Sequence, residues 1–556
     1  MIKGFSQIAF LTAISRVLGF ARDTAYAIVF GPGPLLDAWF IAFRIPNLGR
    51  RLFGEGAASA SLIPIYSEQL HNNPDNAKRL ANTVITALFV VLAGLVLLGE
   101  VFIWLLYEYF GKATETHLIL SLTAITLPYM ILICLVAVIA GVLNVHRHFA
   151  APAMAPIIMN LCIIAGATTA AWLFPVHIKD KISGINPNVI YSFDQPAVRQ
   201  LFVVAVSVIA AGIFEFAVQI PPLHKAGLSL QMSWDIYSEP FKKVLRMMGP
   251  MIIGLAVTQI NTLADDLVAW WFSGSVEKGQ FFTLLGYQIK YPLWRGSVSY
   301  LGFAQHLYQL PLGIFGISLA TALFPVMSMR AAQKDYAGLC KMVSLGIRSS
   351  IFVALPCSLG MILIAKPLIS VWLRHGNFQA SDIQGVVKAL VFYSLGITGY
   401  FLQQIMVRTF YSMQDSKAPV RTGLVAVGVN FVLNIILIWL LGTGGLAAST
   451  AFCSYLQVVI LAVMLRKRLG SSILENLMVT LVKTTVAVSV MWFAGRGVLT
   501  IMDDLPGEFW FNMLRLAAVI PSAVAVYLLA AKLLHIKELA LLRGTRLSEE
   551  QQTYDD

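Results

Sequence analysis

The stretch LANTVITALFVVLAGLVLLGEVFIWLLYEY, from Leu80 to Tyr109, decides the fold class of this chain. It contains two acidic side chains, Glu100 and Glu108, and neither lysine nor arginine. An α-helix needs about 20 mostly apolar residues to cross the hydrocarbon core of a bilayer, which is about 30 Å thick. The stretch therefore predicts a membrane-spanning helix.

The same pattern recurs along all 556 residues, of which 58% are hydrophobic and 12% charged, with a mean hydropathy of +0.75. An ordinary soluble domain has about a quarter of its residues charged. The sequence therefore predicts an all-α polytopic membrane protein with about fourteen transmembrane helices. The predicted spans are Phe5–Phe30, Leu36–Tyr66, Leu80–Tyr109, Leu118–Val145, Pro152–Phe174, Leu201–Leu223, Val244–Phe272, Val298–Ala331, Met342–Ile369, Val386–Tyr411, Val420–Leu441, Leu446–Met464, Met478–Leu499 and Phe511–Leu534.

The positive charges predict the orientation. The first span contains Arg16 and Arg22 and lacks a small-residue cleavage site, so we expect it to be retained. With the loops assigned to alternate sides, about two dozen lysines and arginines fall on the side of the N-terminus and about ten on the other. Both termini are therefore predicted to be cytoplasmic. The net charge of +12 is topogenic, so we expect no nucleic-acid partner.

Two segments share a local pattern that suggests an internal duplication. Pro46 followed by Phe53-Gly54 resembles Pro311 followed by Phe315-Gly316. An offset of six helices predicts two similar lobes around a central cavity, as in transporters built from repeats. The predicted divisions are an N-lobe at 1–223, a cytoplasmic linker at 224–243, a C-lobe at 244–468, two further helices at 469–536 and a cytoplasmic tail at 537–556.

Ionisable side chains within spans mark functional paths. In the second span, Asp37, Arg44 and Arg51 are seven residues apart, and Glu55 returns to the same direction, so one face is a charged stripe. Guanidinium groups bind phosphate oxygens in a bidentate way, which suits a phosphate-bearing ligand, with Asp37 and Glu55 holding the arginines between ligands. The alternative is structural pairing of the arginines with acidic neighbours.

A second polar group occurs in the later spans. Asp265 lies deep in the seventh span, Asn430 and Asn434 lie one turn apart in the eleventh, and Thr450 lies in the twelfth. Carboxylate, amide and hydroxyl oxygens suit a small cation such as Na⁺, or the carboxyl group could carry a proton. Hydrogen bonding between helices explains the asparagines and the threonine equally well. We expect no cofactor apart from Na⁺ as a coupling ion.

Several motifs carry a resemblance to a known family. SRVLGFARD at Ser15–Asp23, DAWFIAFRIPNLGRRLFGEGA at Asp37–Ala57, LYQLPLGIFG at Leu307–Gly316 and FYSMQD at Phe410–Asp415 are similar to motifs of the MurJ (MviN) family of lipid II flippases. The resemblance covers nearly the whole chain. It implies the multidrug/oligosaccharidyl-lipid/polysaccharide exporter fold, in which residues 469–536 form a groove for a polyprenyl tail.

The resemblance also implies a function and a site. The function is movement of undecaprenyl-diphosphate-linked disaccharide-pentapeptide from the cytoplasmic to the periplasmic leaflet of the bacterial inner membrane, by alternating access. Family positions that bind the diphosphate match Arg16, Arg22 and Arg51, acidic positions match Asp37 and Glu55, and a sodium site matches the four residues of the second polar group. We expect a monomer, in contact with lipid II and membrane lipids.

Two departures from the family pattern stand out. His306 replaces the usual arginine before LYQLP, so the contribution of the C-lobe to diphosphate binding becomes weaker or pH-dependent. An extra stretch, at about 274–295, lengthens the loop between the seventh and eighth spans. Its aromatic residues predict packing at the outer membrane surface.

Other functions remain as alternatives. An exporter of another polyprenyl-linked glycan and a drug antiporter share the implied fold, and fold alone does not separate them. We predict no enzyme activity, because a membrane glycosyltransferase needs acidic residues at the membrane surface and Asp265 lies too deep. A scaffold for the cell-wall machinery would have no reason to bury an arginine stripe.

Overall fold

The computed structural model describes residues 2–109, 114–176 and 192–543, and the all-α fold class predicted from the sequence is confirmed there. The α-helices of these residues are α1 Ile2–Val29, α2 Pro34–Gly49, α3 Ser59–Asn72, α4 Pro74–Tyr109, α5 Glu115–Thr126, α6 Tyr129–Val145, α7 Ala150–Leu173, α8 Pro196–Lys225, α9 Glu239–Trp271, α10 Ser297–Pro311, α11 Ile317–Ala332, α12 Tyr336–Leu373, α13 Ala380–Leu395, α14 Ile397–Ser412, α15 Lys417–Leu441, α16 Thr443–Leu469, α17 Leu477–Ile501 and α18 Phe509–Leu533.

Each of the fourteen predicted spans overlaps one or more of these helices. In the part of the chain that the structure describes, ten helices are long and apolar enough to cross a membrane, with α10 and α11 counted as one. Two bent pairs, α5 with α6 and α13 with α14, raise the number to twelve. The first two predicted spans, on α1 and on the run from α2 to α3, lie outside those twelve. The number fourteen therefore stays a prediction.

The bends have local causes. Pro128 separates α5 from α6, where the axis turns by 40°, because proline lacks the N–H group that would continue the hydrogen-bond ladder. Gly396 separates α13 from α14, where the turn is 42°. A Cβ atom at Gly396 would lie 2.8 Å from the Cβ of Ala451, so only glycine fits this close approach between helices.

Two π-helical segments interrupt the helices of the suggested duplication. Arg50–Ala58 joins α2 to α3, and Leu312–Gly316 joins α10 to α11. The pairs Phe53-Gly54 and Phe315-Gly316, on which the duplication was predicted, both lie within them. Wider helical turns of this kind are frequent at functional sites. Two 3₁₀ segments follow α16 at Ser471–Leu474 and α18 at Lys537–Arg543.

The extra stretch between α9 and α10 forms short strands. Ser273–Gly274 (β1) pairs in parallel with Leu293–Trp294 (β4), and Phe281–Leu284 (β2) pairs antiparallel with Tyr287–Lys290 (β3). The stretch therefore closes at its base and projects as a two-stranded hairpin.

The chain forms two compact units. The first contains residues 1–299 and 375–379, and the second contains 300–374 and 380–556. The core of the first unit includes the fully buried rings of Tyr26 and Trp39, 6.3 Å apart in an edge-on arrangement, and Trp39 stacks on Phe43. In the second unit, α17 and α18 pack against α12 through Met491, Tyr527 and Phe352 among others.

Small residues allow helices to approach closely where lipid supplies no hydrophobic driving force. Gly166 on α7 faces Ser207 on α8, and an added Cβ would come within 2.6 Å of the Ser207 Cβ. In the second unit, an added Cβ at Gly399 would come within 3.3 Å of the Ser454 Cβ. These contacts hold α7 against α8 and α14 against α16.

Candidate substrate and ion sites

Arg22 on α1 is held from two sides. Its Nη2 and Nε atoms donate to Asp23 Oδ1 at 2.8 and 3.0 Å, and its Nη1 atom donates to Asn160 Oδ1 on α7 at 3.2 Å. The Arg22 side chain is 15% exposed and that of Asp23 is 3% exposed. A charge withdrawn from water must be paired and hydrogen-bonded, and these contacts meet that need. Arg16, nearly two turns earlier on α1, is exposed.

Two arginines of the predicted stripe contact the same helix. Arg44 Nε donates to Asp266 Oδ2 at 2.6 Å, and Arg51 Nη1 donates to Gln259 Oε1 at 3.1 Å. The arginines are seven residues apart and so are their partners on α9, in reverse order. Seven residues make about two helical turns. One face of α2 and of the π-helical segment after it therefore lies along one face of α9.

Asp37 binds the start of another helix. Its carboxylate accepts hydrogen bonds from the Gly296 N–H at 2.6 Å, the Ser299 N–H at 2.8 Å and the Ser299 hydroxyl at 2.5 Å. The first N–H groups of a helix lack intrahelical acceptors, so a buried anion at the N-terminus of α10 satisfies them. We expected Asp37 to hold the arginines, but the carboxylates on Arg22 and Arg44 are those of Asp23 and Asp266.

Glu55 and His306 are the remaining candidates for substrate binding. The Glu55 side chain lies outside the described residues, although its backbone belongs to the π-helical segment Arg50–Ala58. His306 lies half-buried on α10, in the second unit, whereas the arginines belong to the first.

Three of the four predicted ion ligands lie together between α15 and α16. Asn430 Nδ2 donates to Thr450 Oγ1 at 3.4 Å, and the Ser449 hydroxyl donates to Asn434 Oδ1. Both asparagines are buried. Amide and hydroxyl oxygens are hard ligands of the kind that Na⁺ prefers, so this cluster fits the neutral part of a sodium site.

The fourth predicted ligand belongs to the other unit. Asp265 lies on α9 and is buried, next to the Asp266 that binds Arg44. Across the described ranges, no three His, Cys, Asp or Glu side chains form a group that could hold a metal ion. The predicted sodium site has one carboxylate and three neutral ligands, so this finding does not bear on it and the site stays a prediction.

An apolar cavity of about 370 Å³ lies in the second unit. Its walls come from α12, from α17 and α18, and from the end of α10 with the π-helical segment after it. Phe352, Cys357, Gly360, Met491 and Tyr527 are among the lining residues. The Tyr527 hydroxyl donates to the Phe352 carbonyl at 2.6 Å, so its polar end is satisfied. The cavity suits a hydrocarbon chain.

The sequence analysis missed a buried ion pair at the base of the hairpin. Arg295 Nε donates to Glu115 Oε2 at 2.7 Å, and Arg295 Nη1 donates to the Trp270 carbonyl at 2.5 Å. The two charged side chains are 2% and 3% exposed. They are separated by 180 residues in sequence, and no local pattern relates them.

The chain is similar to known flippases in sequence and in fold. A family model described as lipid II flippase MurJ matches residues 26–514. A probable lipid II flippase MurJ of Vibrio cholerae is 31% identical over 474 residues, which are 83% of this chain and 82% of the relative.

The structural comparison agrees. A solved lipid II flippase MurJ in an inward closed conformation has a TM-score of 0.70 at 24% identity and covers 95% of this chain and 98% of its own. An inward-facing multidrug transporter of the MATE family, in the MOP superfamily, has a TM-score of 0.57 at 13% identity, with 82% and 95% covered.

Proposed function

The chain belongs to the MurJ family of lipid II flippases, and on that premise we propose that α1 and α2 receive the diphosphate of lipid II. The protein is a multi-pass membrane protein of the bacterial inner membrane and serves peptidoglycan synthesis. We propose that both termini are cytoplasmic, that the lipid travels from the cytoplasmic to the periplasmic leaflet, and that no covalent chemistry takes place.

The antiparallel pair of contacts between α2 and α9 is the observation that carries this proposal. Asp266 and Gln259 bind Arg44 and Arg51 at positions about two helical turns apart on one face of α9. A guanidinium group stays charged at any physiological pH and can exchange an amide or carboxylate partner for phosphate oxygens. Arg16 is exposed and adds a third guanidinium group on the neighbouring helix α1.

The lipid tail needs a different surface. The apolar cavity between α12, α17 and α18 supports a role for the last two helices in holding part of the polyprenyl chain. Because the tail comes from lipid and not from water, the cavity would hold it by packing contacts and not by the hydrophobic effect. A tail that stays in this cavity and in the surrounding lipid leaves only the head group to cross.

Transport requires two states that bind the ligand differently. We propose alternating access, in which the π-helical segments Arg50–Ala58 and Leu312–Gly316 absorb the change in helix direction. Only a difference in affinity between the inward and outward states can shift their populations. Na⁺ bound by the oxygens of Asn430, Asn434 and Thr450 would supply such a difference, with Asp265 as the predicted carboxylate ligand.

The test is complementation of a flippase-depleted bacterium, with the lipid II accessible at the outer leaflet as the readout. We expect the wild-type chain to restore accessibility, and Arg16→Ala and Arg51→Ala to fail at normal membrane levels. Arg51→Lys should restore little, because an ammonium group lacks the bidentate geometry. His306→Arg should raise activity if the C-lobe contributes to diphosphate binding.

Arg199→Ala is the matched control. Arg199 is also an arginine in the first unit, but it contacts the Phe193 carbonyl and Asp194 at the start of α8, away from the α2–α9 contacts. It should behave as wild type. Normal transport by both Arg16→Ala and Arg51→Ala would disprove the diphosphate site. Failure of a well-expressed wild-type chain in a compatible host would instead favour another lipid-linked glycan as substrate.

A further inference from the structure

We propose that the hairpin from Phe281 to Lys290 is a membrane-binding element, whose apolar face inserts into the leaflet at which α9 ends and α10 begins. This role is independent of the transport site. From the predicted topology, that leaflet is the periplasmic one.

The hairpin has two chemically different faces. Residues that pair across the two strands share a face, and the pairs Phe282 with Ile289 and Leu284 with Tyr287 form an apolar face. The other face carries Phe281, Thr283, Gln288 and Lys290. The hairpin is therefore an amphipathic ribbon.

The apolar face is half-buried at its base and exposed towards its tip. Phe282 packs on Tyr291 with ring centroids 5.0 Å apart. Leu284 is 54% exposed, Tyr287 75% and Leu285 92%. Contiguous apolar exposure of this kind marks an interaction surface.

The turn is built from an unfavourable residue. Leu285 has a φ of 50° and Gly286 a φ of 86°, as two-residue hairpin turns require. Asparagine, aspartate and glycine adopt a positive φ far more readily than leucine. Leu285 thus combines backbone strain with nearly full exposure to solvent, and a contact outside the chain explains both.

The position of the hairpin identifies a lipid surface as that contact. The stretch leaves the end of one candidate span, α9, and enters the next, which begins with α10. Each strand has four residues, so the hairpin reaches about 13 Å from its base. It stays within range of the membrane–water interface, where aromatic side chains concentrate. Trp271 and Trp294 at its base are both exposed there.

The charges and the attachment fit the same partner. The two strands carry Lys290 and no acidic residue, which suits anionic head groups. The base is fixed to the first unit through the buried pair of Arg295 with Glu115. A hairpin rigid at its base can hold its apolar face in the interface without a further cost of ordering.

The test uses the full chain in vesicles of phosphatidylethanolamine and phosphatidylglycerol. A fluorophore is attached at Leu285→Cys or, as the matched control on the polar face, at Gln288→Cys. The unsubstituted chain, treated in parallel, corrects for its own cysteines. Iodide in the buffer and nitroxide groups on lipid acyl chains serve as quenchers.

We expect iodide to quench the label at 285 about tenfold less than the label at 288, because burying an apolar label at least as large as a leucine side chain favours the bound state by at least that factor. The lipid nitroxides should quench the label at 285 more strongly. Equal access of iodide to both labels would overturn the proposal. Protection that disappears when the protein is diluted in lipid would also overturn it, because a second copy would then be the partner.

A second variant separates membrane contact from misfolding. Leu285→Asn fits the positive φ of the turn better than leucine, so the hairpin should persist. A label at Tyr287→Cys should nevertheless become about tenfold more accessible to iodide when Leu285→Asn is added, since the apolar anchor is lost. Unchanged protection of that label would show that Leu285 does not hold the hairpin in the membrane.

Discussion

Loss of one partner of the buried ion pair between Arg295 and Glu115 should release the base of the hairpin. The two side chains are 2% and 3% exposed, and the closest N–O distance is 2.5 Å. Glu115→Gln keeps the shape and removes the charge, so Arg295 stays buried without its counter-charge. Removing one partner of such a pair costs about 3–5 kcal/mol.

This free energy has a local readout in amide hydrogen exchange. Since each 1.4 kcal/mol is a factor of ten, residues 273–299 and the first turn of α5 should open about 140 to 3,700 times more often. The double variant Glu115→Gln with Arg295→Met buries no charge, and its exchange should return to within about tenfold of wild type.

An exposed ion pair in the same unit is the control. Lys243 Nζ lies 3.1 Å from Glu68 Oε2, with side chains 57% and 52% exposed. Glu68→Gln should cost at most about 1 kcal/mol, because water solvates the remaining charge. Equal effects of Glu115→Gln and Glu68→Gln would refute the argument from burial. A double variant that opens as far as the two single variants combined would refute the pairing itself.

Three further predictions concern the second unit. The hydrogen bond from the Gly338 N–H at the start of α12 and, second to it, the contact with Arg330 hold the pKa of Asp335 below its usual range. The ionised Asp335 carboxylate therefore stabilises the fold above its unfolded pKa of about 3.9, and this stabilisation is lost as the pH falls through the lower folded pKa. The difference in melting temperature between wild type and Asp335→Asn should therefore shrink in acid; a constant difference would contradict this. Gly445→Ala should lower the free energy of unfolding by about 3 kcal/mol, measured as lost thermal stability, because an added Cβ would clash with the Leu437 carbonyl oxygen of α15. As the control, Gly428→Ala places its Cβ in open space and should leave the thermal stability unchanged. Gly360→Leu fills the apolar cavity and should reduce the lipid II that reaches the outer leaflet in complementation at unchanged membrane levels; full activity would argue against a tail in that cavity.

Much of the fold is local information. Whether a segment can cross a bilayer depends on its own length and hydropathy, so every predicted span falls on a helix of the structure. The seven-residue spacing of Arg44 and Arg51 likewise depends only on helix geometry, and both side chains contact α9. The sequence predicts an insertion at 274–295 whose aromatic residues pack at the outer membrane surface, and that location stays a prediction; the hairpin form of the insertion is seen only in the structure.

The sequence by itself determined the class of protein, its helices and the family it belongs to. Only the tertiary structure decided which charges are paired. Asp37 binds the start of α10, 262 residues away in sequence, and Asp266, next to the predicted ion ligand Asp265, binds Arg44. The physical reason is that the partner of a buried charge is whichever group helix packing brings within hydrogen-bonding distance, and that packing depends on contacts far apart in the chain.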